Sequence, residues 1–149
     1  MTLTVVILTK NEERHIARAM ASVAPIADRI VVVDSGSMDR TVELAKEGGA
    51  EVLENLWVNY ATQLNWALDQ LPADTDWVFR LDADEVVTDA LASEIKTHLG
   101  SLSPTIVGVY ISRRMTFLGR PIKWGGALPC PGAASLPTWP GALREQMDG

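Results

Sequence analysis

The stretch Trp77-Val78-Phe79-Arg80-Leu81-Asp82-Ala83-Asp84 decides the fold that we predict for this chain. Its first five residues are mostly apolar and predict a buried strand, so Asp82 and Asp84 follow at the C-terminal end of that strand. Side chains two apart on a strand point to the same side. Because two close carboxylates repel each other unless a cation lies between them, the pair predicts a site for a hard divalent ion bound to phosphate oxygens.

The rest of the chain alternates between β-rich and helical patterns. Four helices are predicted between the strands, since apolar residues recur at helical spacing and Pro or Gly ends each run. This alternation indicates one α/β domain, with a mostly parallel sheet and helices on both faces. The predicted strands are Leu3–Leu8, Ile30–Val33, Glu51–Leu53, Trp77–Leu81 and Thr105–Ser112.

Composition limits the class of protein. The 149 residues suit one domain, and 47% hydrophobic residues are enough for a core. A formal net charge of −6 leaves no basic field to hold nucleic acid. No apolar stretch is long enough to span a bilayer, and the N-terminus predicts a first strand, not a signal peptide. The single Cys130 excludes an internal disulfide. Together these features predict a cytoplasmic protein.

The C-terminal part differs in composition from the rest. From Gly125 onward come Pro129, Pro131, Pro137 and Pro140, half of the eight prolines in the chain. Gly and Ala fill the spaces between them, and neither a helical nor a strand period continues. We therefore predict a domain over residues 1–126 and an irregular Pro/Gly/Ala-rich tail over residues 127–149.

Polar clusters follow three of the predicted strands. They are Thr9-Lys10-Asn11-Glu12, Asp34-Ser35-Gly36-Ser37 and Asp82-Ala83-Asp84-Glu85. In an open α/β sheet, ligands bind beyond the carboxyl ends of the strands, so the three clusters predict one functional rim. Neither a G-x-G-x-x-G nor a G-x-x-x-x-G-K-[ST] motif is present. The sequence therefore predicts that phosphate is held through a metal ion and not through a glycine-rich loop.

Four motifs, in their order and spacing, resemble family 2 glycosyltransferases. They are Leu8–Glu13, Val32–Thr41, Gln63–Asp69 and Leu81–Glu85. The chain is most similar to the branch that includes lipopolysaccharide-core β-1,4-glucosyltransferases, and Phe117–Gly126 is similar to that branch too. The resemblance covers residues 3–126. It implies the GT-A fold of nucleotide-diphospho-sugar transferases, with Mg²⁺ or Mn²⁺ as cofactor.

The resemblance also implies roles for residues of the rim. Asp34 would accept a hydrogen bond from the base, usually uracil. Asp82 would contact the ribose or the metal, and Asp84 would hold the metal against the diphosphate. The whole donor-binding set is Thr9, Asn11, Glu12, Asp34, Ser35, Asn65 and Asp82, and the metal ligands are Asp84 and Asp82.

Three acidic or amide residues of the motifs have simpler alternative roles. Asp34 could cap the turn before the second helix, because Ser35-Gly36-Ser37 follows it. Asn65 lies on an otherwise apolar stripe and could cross-link loops. Glu85 is favoured as an acid in the first turn of the next helix.

The implied activity is metal-dependent, inverting transfer of a hexose from a nucleotide-sugar, expected to be a UDP-sugar. The acceptor would be a lipopolysaccharide-core or other cell-envelope glycan, or a lipid-linked one. Such an acceptor implies peripheral contact with the inner membrane, for which the sequence shows no amphipathic basic helix. Inversion needs a carboxylate base. In the family that base lies beyond the segment that matches Gly125-Gly126, so the catalytic base stays unassigned.

The segments that follow the double glycine in this branch are not found here, and Glu145 and Asp148 match nothing. One hypothesis is that residues 127–149 are a truncated or frameshifted C-terminus, which translating the downstream DNA in the other two frames would test. A second reading is a catalytically inactive nucleotide-sugar-binding remnant. A third, an aspartate-nucleophile phosphotransferase, ranks last because its first Asp usually follows the first strand.

Overall fold

The computed structural model describes residues 1–112, 116–117, 120–121 and 131–137. The helices are α1 (Ile16–Val23), α2 (Thr41–Glu47), α3 (Tyr60–Gln70) and α4 (Asp89–His98), and a 3₁₀ turn (Leu99–Ser101) follows α4. The strands are β1 (Leu3–Thr9), β2 (Arg29–Asp34), β3 (Glu51–Glu54), β4 (Trp77–Asp82), β5 (Val109–Ser112), β6 (Thr116–Phe117), β7 (Arg120–Pro121) and β8 (Pro131–Pro137). None of the described helices is both long and apolar enough to cross a bilayer.

The main sheet has the strand order β3-β2-β1-β4-β8-β5. The pairs β1–β2, β1–β4 and β2–β3 are parallel, whereas β8 runs antiparallel to both β4 and β5. Among the described strands, β6 and β7 pair only with each other. The mostly parallel sheet predicted from the sequence is therefore confirmed, and an antiparallel strand is added next to β4.

Hydrophobic cores lie on both faces of the sheet, as predicted. Strand β1 is buried along its whole length, and its side chains alternate between the two faces. Leu3, Val5 and Ile7 pack in one core with buried residues of α1, α2 and α4. Val6 and Leu8 pack in the other core with residues of α3. A strand covered on both faces is nearly all apolar, as expected in a parallel sheet between helices.

Two elements begin later than the sequence predicts. Asn11, followed by Glu12 and Glu13, predicts a helix N-terminus, but α1 begins at Ile16, and the Asn11 side chain accepts from the Met38 N–H instead of capping the helix. We expected a strand from Thr105, but β5 begins at Val109. Both differences lengthen the loop that precedes the element.

The prediction of an irregular tail over residues 127–149 needs correction at β8. Pro131–Pro137 forms a strand that pairs Leu136 with Val78 of β4, and the same strand pairs with β5. The segment has no strand period of its own, and its backbone pairs instead with two distant strands. Its two prolines stand at the ends of the strand, where a missing N–H is best tolerated. Residues 127–130 and 138–149 of the predicted tail lie outside the described residues.

Candidate functional site

The predicted rim forms where β1, β2 and β4 end side by side. The register places Thr9 of β1 next to Asp34 of β2, and Leu8 of β1 next to Asp82 of β4. Because side chains alternate along each strand, the rim residues lie on both faces of the sheet. Thr9 and Asp34 continue the face that carries α1, whereas Asp82 and Ser35 make contacts with α3. One edge of the sheet thus brings together most of the residues predicted to bind the donor.

Asp34 organises the turn that follows β2. Its side chain is almost fully buried, and its Oδ2 atom accepts hydrogen bonds from the backbone N–H groups of Gly36 (2.9 Å) and Ser37 (2.8 Å). Its Oδ1 atom accepts a hydrogen bond from the Ser37 hydroxyl. Gly36 has a φ of 87°, which favours glycine at this turn. The turn-capping role weighed from the sequence is therefore present, and contact between Asp34 and a nucleobase stays a prediction.

Asn11 links the loop after β1 to the loop after β2. Its backbone N–H donates to Ser37 Oγ (2.8 Å), and its Oδ1 atom accepts from the backbone N–H of Met38 (2.9 Å). The next residues repeat this pattern, because Glu13 N–H donates to Asp39 Oδ2 (3.2 Å). Asn11, predicted to bind the donor, thus has a structural role in holding two rim loops together.

Asp39 and Thr41 extend this link to Glu12. The Glu12 backbone N–H donates to Thr41 Oγ1 (2.8 Å), and the Thr41 hydroxyl and N–H both donate to Asp39 Oδ1. Desolvation acts to raise the pKa of the Asp39 carboxyl, but the hydrogen bonds from Thr41 and from the Glu13 backbone bring that pKa below its ordinary value. The Glu12 carboxylate lies 2.7 Å from Nδ1 of His15.

Thr9 is a buried hydroxyl residue at the rim. Its residue exposure is 5%, and within the described part of the chain its Oγ1 atom has no hydrogen-bond partner. A buried hydroxyl that is not paired costs stability. Thr9 therefore offers the rim a hydroxyl that the surrounding described residues do not use.

Asp82 is held through both its side chain and its backbone. The Tyr60 hydroxyl donates to Asp82 Oδ1. The Asp82 N–H donates to Glu85 Oε2 (3.0 Å), and the Asp82 carbonyl accepts from the Glu85 N–H (2.9 Å). Glu85 is not in the first turn of a helix, because α4 begins only at Asp89. Glu85 instead closes the turn that carries the two aspartates.

Asp84 follows the buried Ala83 just beyond the end of β4, and Asp84 itself is exposed. Among the described residues, no group of three or more His, Cys, Asp or Glu side chains is arranged to hold a metal ion. The rim can nevertheless supply the carboxylates of Asp82 and Asp84. Mg²⁺ is commonly bound by one or two protein carboxylates, with phosphate oxygens and water as the other ligands. These two residues therefore fit a metal that arrives with a diphosphate.

Gln63 is a rim residue that the sequence analysis missed. It is fully buried, and its Nε2 atom donates to Ser35 Oγ (3.1 Å) and to the Asn55 carbonyl (3.0 Å). Its Oε1 atom accepts from Asn55 Nδ2 (2.8 Å). Asn65, predicted to bind the donor, is half-buried on the same helix. A glutamine inside the apolar stripe of α3 was the available signal, because buried amides are nearly always hydrogen-bonded.

Tyr60, Trp57 and Arg80 form a second group that the sequence analysis missed. The guanidinium carbon of Arg80 lies 4.7 Å from the centroid of the Tyr60 ring, a cation–π contact. The Trp57 and Tyr60 rings meet edge to face, with centroids 6.1 Å apart and planes at 81°. Trp57 is 48% exposed, so it belongs to the rim and not to the core.

The sheet, the helices on both faces and the rim define an α/β domain of the GT-A type. The chain belongs to glycosyl transferase family 2, whose family model matches residues 4–135. The family predicted from the sequence is therefore confirmed, and the match extends into β8.

Several proteins that match this chain in sequence are named as glycosyltransferases. Uncharacterised glycosyltransferases of Rickettsia typhi and Rickettsia prowazekii are 44% and 43% identical to this chain over 90 residues. Those matches cover 60% of this chain and 30% of each relative. A TPR repeat-containing protein of Synechococcus elongatus is 31% identical over 114 residues, which are 76% of this chain and 27% of that protein. The chain thus matches less than a third of the length of these relatives.

Solved structures of glucosyl-3-phosphoglycerate synthase from Mycobacterium tuberculosis share the fold. The complex of that enzyme with UDP has a TM-score of 0.68 at 22% identity, and the match covers 92% of this chain and 57% of the synthase. The complex with Mn²⁺, UDP and phosphoglyceric acid has a TM-score of 0.51 at 28% identity, over 57% of this chain and 34% of the synthase. The GT-A fold implied by the sequence is confirmed.

Proposed function

We propose that this domain binds a nucleotide-sugar donor, a UDP-sugar, at the rim formed by β1, β2 and β4, together with Mg²⁺ or Mn²⁺. The observation that carries the proposal is the register, which ends three parallel strands together and sets Thr9 beside Asp34 and Leu8 beside Asp82. Ligands of open α/β sheets bind at such carboxyl ends. Membership of glycosyl transferase family 2 supports the same class of donor.

The metal would be held by Asp84 and Asp82. Asp84 is exposed and can meet a ligand that arrives from solvent, whereas the Asp82 carboxylate is already oriented by Tyr60. A bound divalent ion would offset the negative charge that develops on a departing nucleoside diphosphate. The synthase from Mycobacterium tuberculosis, which shares the fold, was crystallised with UDP and either Mn²⁺ or Mg²⁺.

The nucleoside would lie against the loops after β1 and β2. A small shift at the rim would uncover the buried, unpaired hydroxyl of Thr9 to pair with it, and Glu12 and Ser35 stand on the neighbouring loops. The hydrogen bonds that join Asn11 to Ser37 and Met38 would keep these loops in place when the donor is absent. The nucleotide thus meets a surface that needs little rearrangement, which lowers the entropic cost of binding.

The proposed reaction is inverting transfer of a hexose to a lipopolysaccharide-core or other cell-envelope glycan, or to a lipid-linked acceptor, on the cytoplasmic face of the inner membrane. Support for this acceptor comes from the similarity of the four sequence motifs and of Phe117–Gly126 to that branch of the family. The carboxylate base is not assigned to any residue. The proposal for the donor site does not depend on the acceptor.

A thermal-shift titration with UDP and Mn²⁺, separately and together, tests the donor site. We expect the melting temperature to rise more when both are present than with either alone, because the two carboxylates bind a metal–diphosphate pair. A ligand at about a hundred times its Kd stabilises a folded protein by about 2.7 kcal/mol. A cooperative melt that neither component shifts would contradict the proposed function.

Replacing Thr9 by valine should raise the stability of the protein and weaken its binding of the donor. The free energy of unfolding should rise by about 1 kcal/mol, because an unpaired buried hydroxyl is removed. The affinity for UDP with Mn²⁺ should fall about fivefold, the equivalent of one lost hydrogen bond. Urea unfolding and calorimetric titration measure the two effects.

Thr41→Val is the matched control for this change. Thr41 is also fully buried, but its hydroxyl is paired with Asp39 and with the Glu12 N–H. This control should lose about 1 kcal/mol of stability, in the opposite direction to Thr9→Val. Unchanged affinity for UDP in Thr9→Val would remove Thr9 from the nucleoside site.

A further inference from the structure

The first residue of α3 reaches across the rim to the end of β4. The helix begins at Tyr60 because Asn59 caps it, its side chain accepting a hydrogen bond from the Thr62 N–H (2.9 Å). This cap sets where the helix starts and therefore where the phenol of Tyr60 stands. The hydroxyl of that phenol donates to Oδ1 of Asp82.

The ring of Tyr60 is held from two directions. Arg80 comes from the same strand as Asp82, two residues earlier, and its guanidinium carbon lies 4.7 Å from the ring centroid. Trp57 meets the ring edge to face from the loop before α3. A ring with a cation near its centroid and an indole against it has few other orientations available. The hydroxyl is consequently aimed at one carboxylate oxygen.

The backbone of Asp82 is fixed independently by Glu85, which pairs with both its N–H and its carbonyl. Side chain and backbone therefore have separate supports, and the Tyr60 hydroxyl helps to set the direction of the carboxylate. Groups that hydrogen-bond a metal-binding side chain fix its orientation, and their loss typically weakens metal binding 10- to 100-fold.

The geometry points to Tyr60 as a positioning residue that orients the Asp82 carboxylate for the metal–diphosphate of the donor, with Arg80 and Trp57 holding the Tyr60 ring. This inference rests on the proposed function, since it assigns the Tyr60 hydroxyl a task at the same site. In this role the Tyr60 hydroxyl acts through Asp82, so its loss should affect the metal more than metal-free UDP.

The test is Tyr60→Phe in the 149-residue chain, which keeps the ring and removes only the hydroxyl. Tyr110→Phe is the matched control, because Tyr110 is the other tyrosine of the chain and is 78% exposed on β5. Calorimetry gives the affinity for Mn²⁺ at saturating UDP and the affinity for UDP without metal. We expect Tyr60→Phe to weaken Mn²⁺ about tenfold and to leave metal-free UDP binding unchanged, with Tyr110→Phe equal to wild type in both.

Three results would overturn the inference, and they are distinguishable. Equal Mn²⁺ affinity in Tyr60→Phe and wild type would show that the hydroxyl does not orient the metal site. Equal losses of Mn²⁺ affinity and metal-free UDP affinity, with a lower melting temperature, would show a purely structural link between α3 and β4. A wild-type chain that binds neither UDP nor Mn²⁺ would instead refute the proposed donor site, and with it the role of Tyr60.

Discussion

Replacing Asp84 by asparagine should abolish metal-dependent binding of UDP and leave the fold intact. The side chain is exposed, so its removal disturbs no core contact, and stability should change by less than about 0.5 kcal/mol. An amide has no charge to offer a divalent ion that already carries a diphosphate. Because loss of a supporting residue costs up to about 100-fold in metal affinity, loss of a ligand should cost at least that much. Calorimetric titration with UDP at fixed Mn²⁺ measures the effect.

Asp74→Asn provides the control for this charge change. Asp74 is also exposed, but it precedes β4, at the end of the strand opposite to the rim. The two variants have the same net charge, so a general electrostatic effect would appear in both. UDP binding that survives Asp84→Asn unaltered, with metal still required, would show that Asp84 is not a ligand.

Replacing Gln63 by leucine should produce the largest loss of stability among these variants. The side chain is similar in size and fully buried, but three hydrogen bonds to Ser35 and Asn55 are lost. The partner groups are then left in a water-poor site. The expected cost is about 3 kcal/mol, which lowers the melting temperature of a chain of this size by about 6 to 12 °C. Urea unfolding followed by circular dichroism gives both values.

Gln70→Leu is the control that shows whether replacing any glutamine of α3 by leucine lowers the stability. Gln70 is exposed at the last position of the same helix and makes one long contact, 3.5 Å to the Trp66 carbonyl. Its replacement should change stability by less than about 0.5 kcal/mol. If Gln63→Leu proved as mild as Gln70→Leu, the polar network between α3 and β2 would not contribute to stability.

The parts of the fold that local sequence patterns specify were predicted well. Strand β1 is buried throughout and mostly apolar because both faces are covered, and the helical spacing of Ile16, Met20 and Val23 matches the buried face of α1. Such patterns are visible within ten residues of sequence. Strand β8 was missed because its own composition suggests no strand and its backbone pairs with two other strands, β4 and β5, the first of which is more than fifty residues away.

The rim was predicted in position but only partly in detail. The register confirms that the clusters after β1, β2 and β4 meet at one edge, since parallel strands end together. The hydrogen bonds of Asn11, Gln63 and Tyr60 could not be predicted, because each depends on the meeting of two loops or of a helix and a strand. A single sequence shows which polar residues are near the rim, but not which of them pair with one another.

The position of β4 in the sheet has a consequence for synthesis of the protein. This strand, which carries Asp82, lies between β1 and β8, and β8 comes from Pro131–Pro137. A nascent chain that has reached residue 112 therefore contains all three rim loops but leaves one side of β4 without its strand partner. Unpaired strand edges promote pairing with other chains. Neighbouring nascent chains on the same messenger RNA can therefore aggregate through this open edge until β8 has left the ribosome and paired with β4.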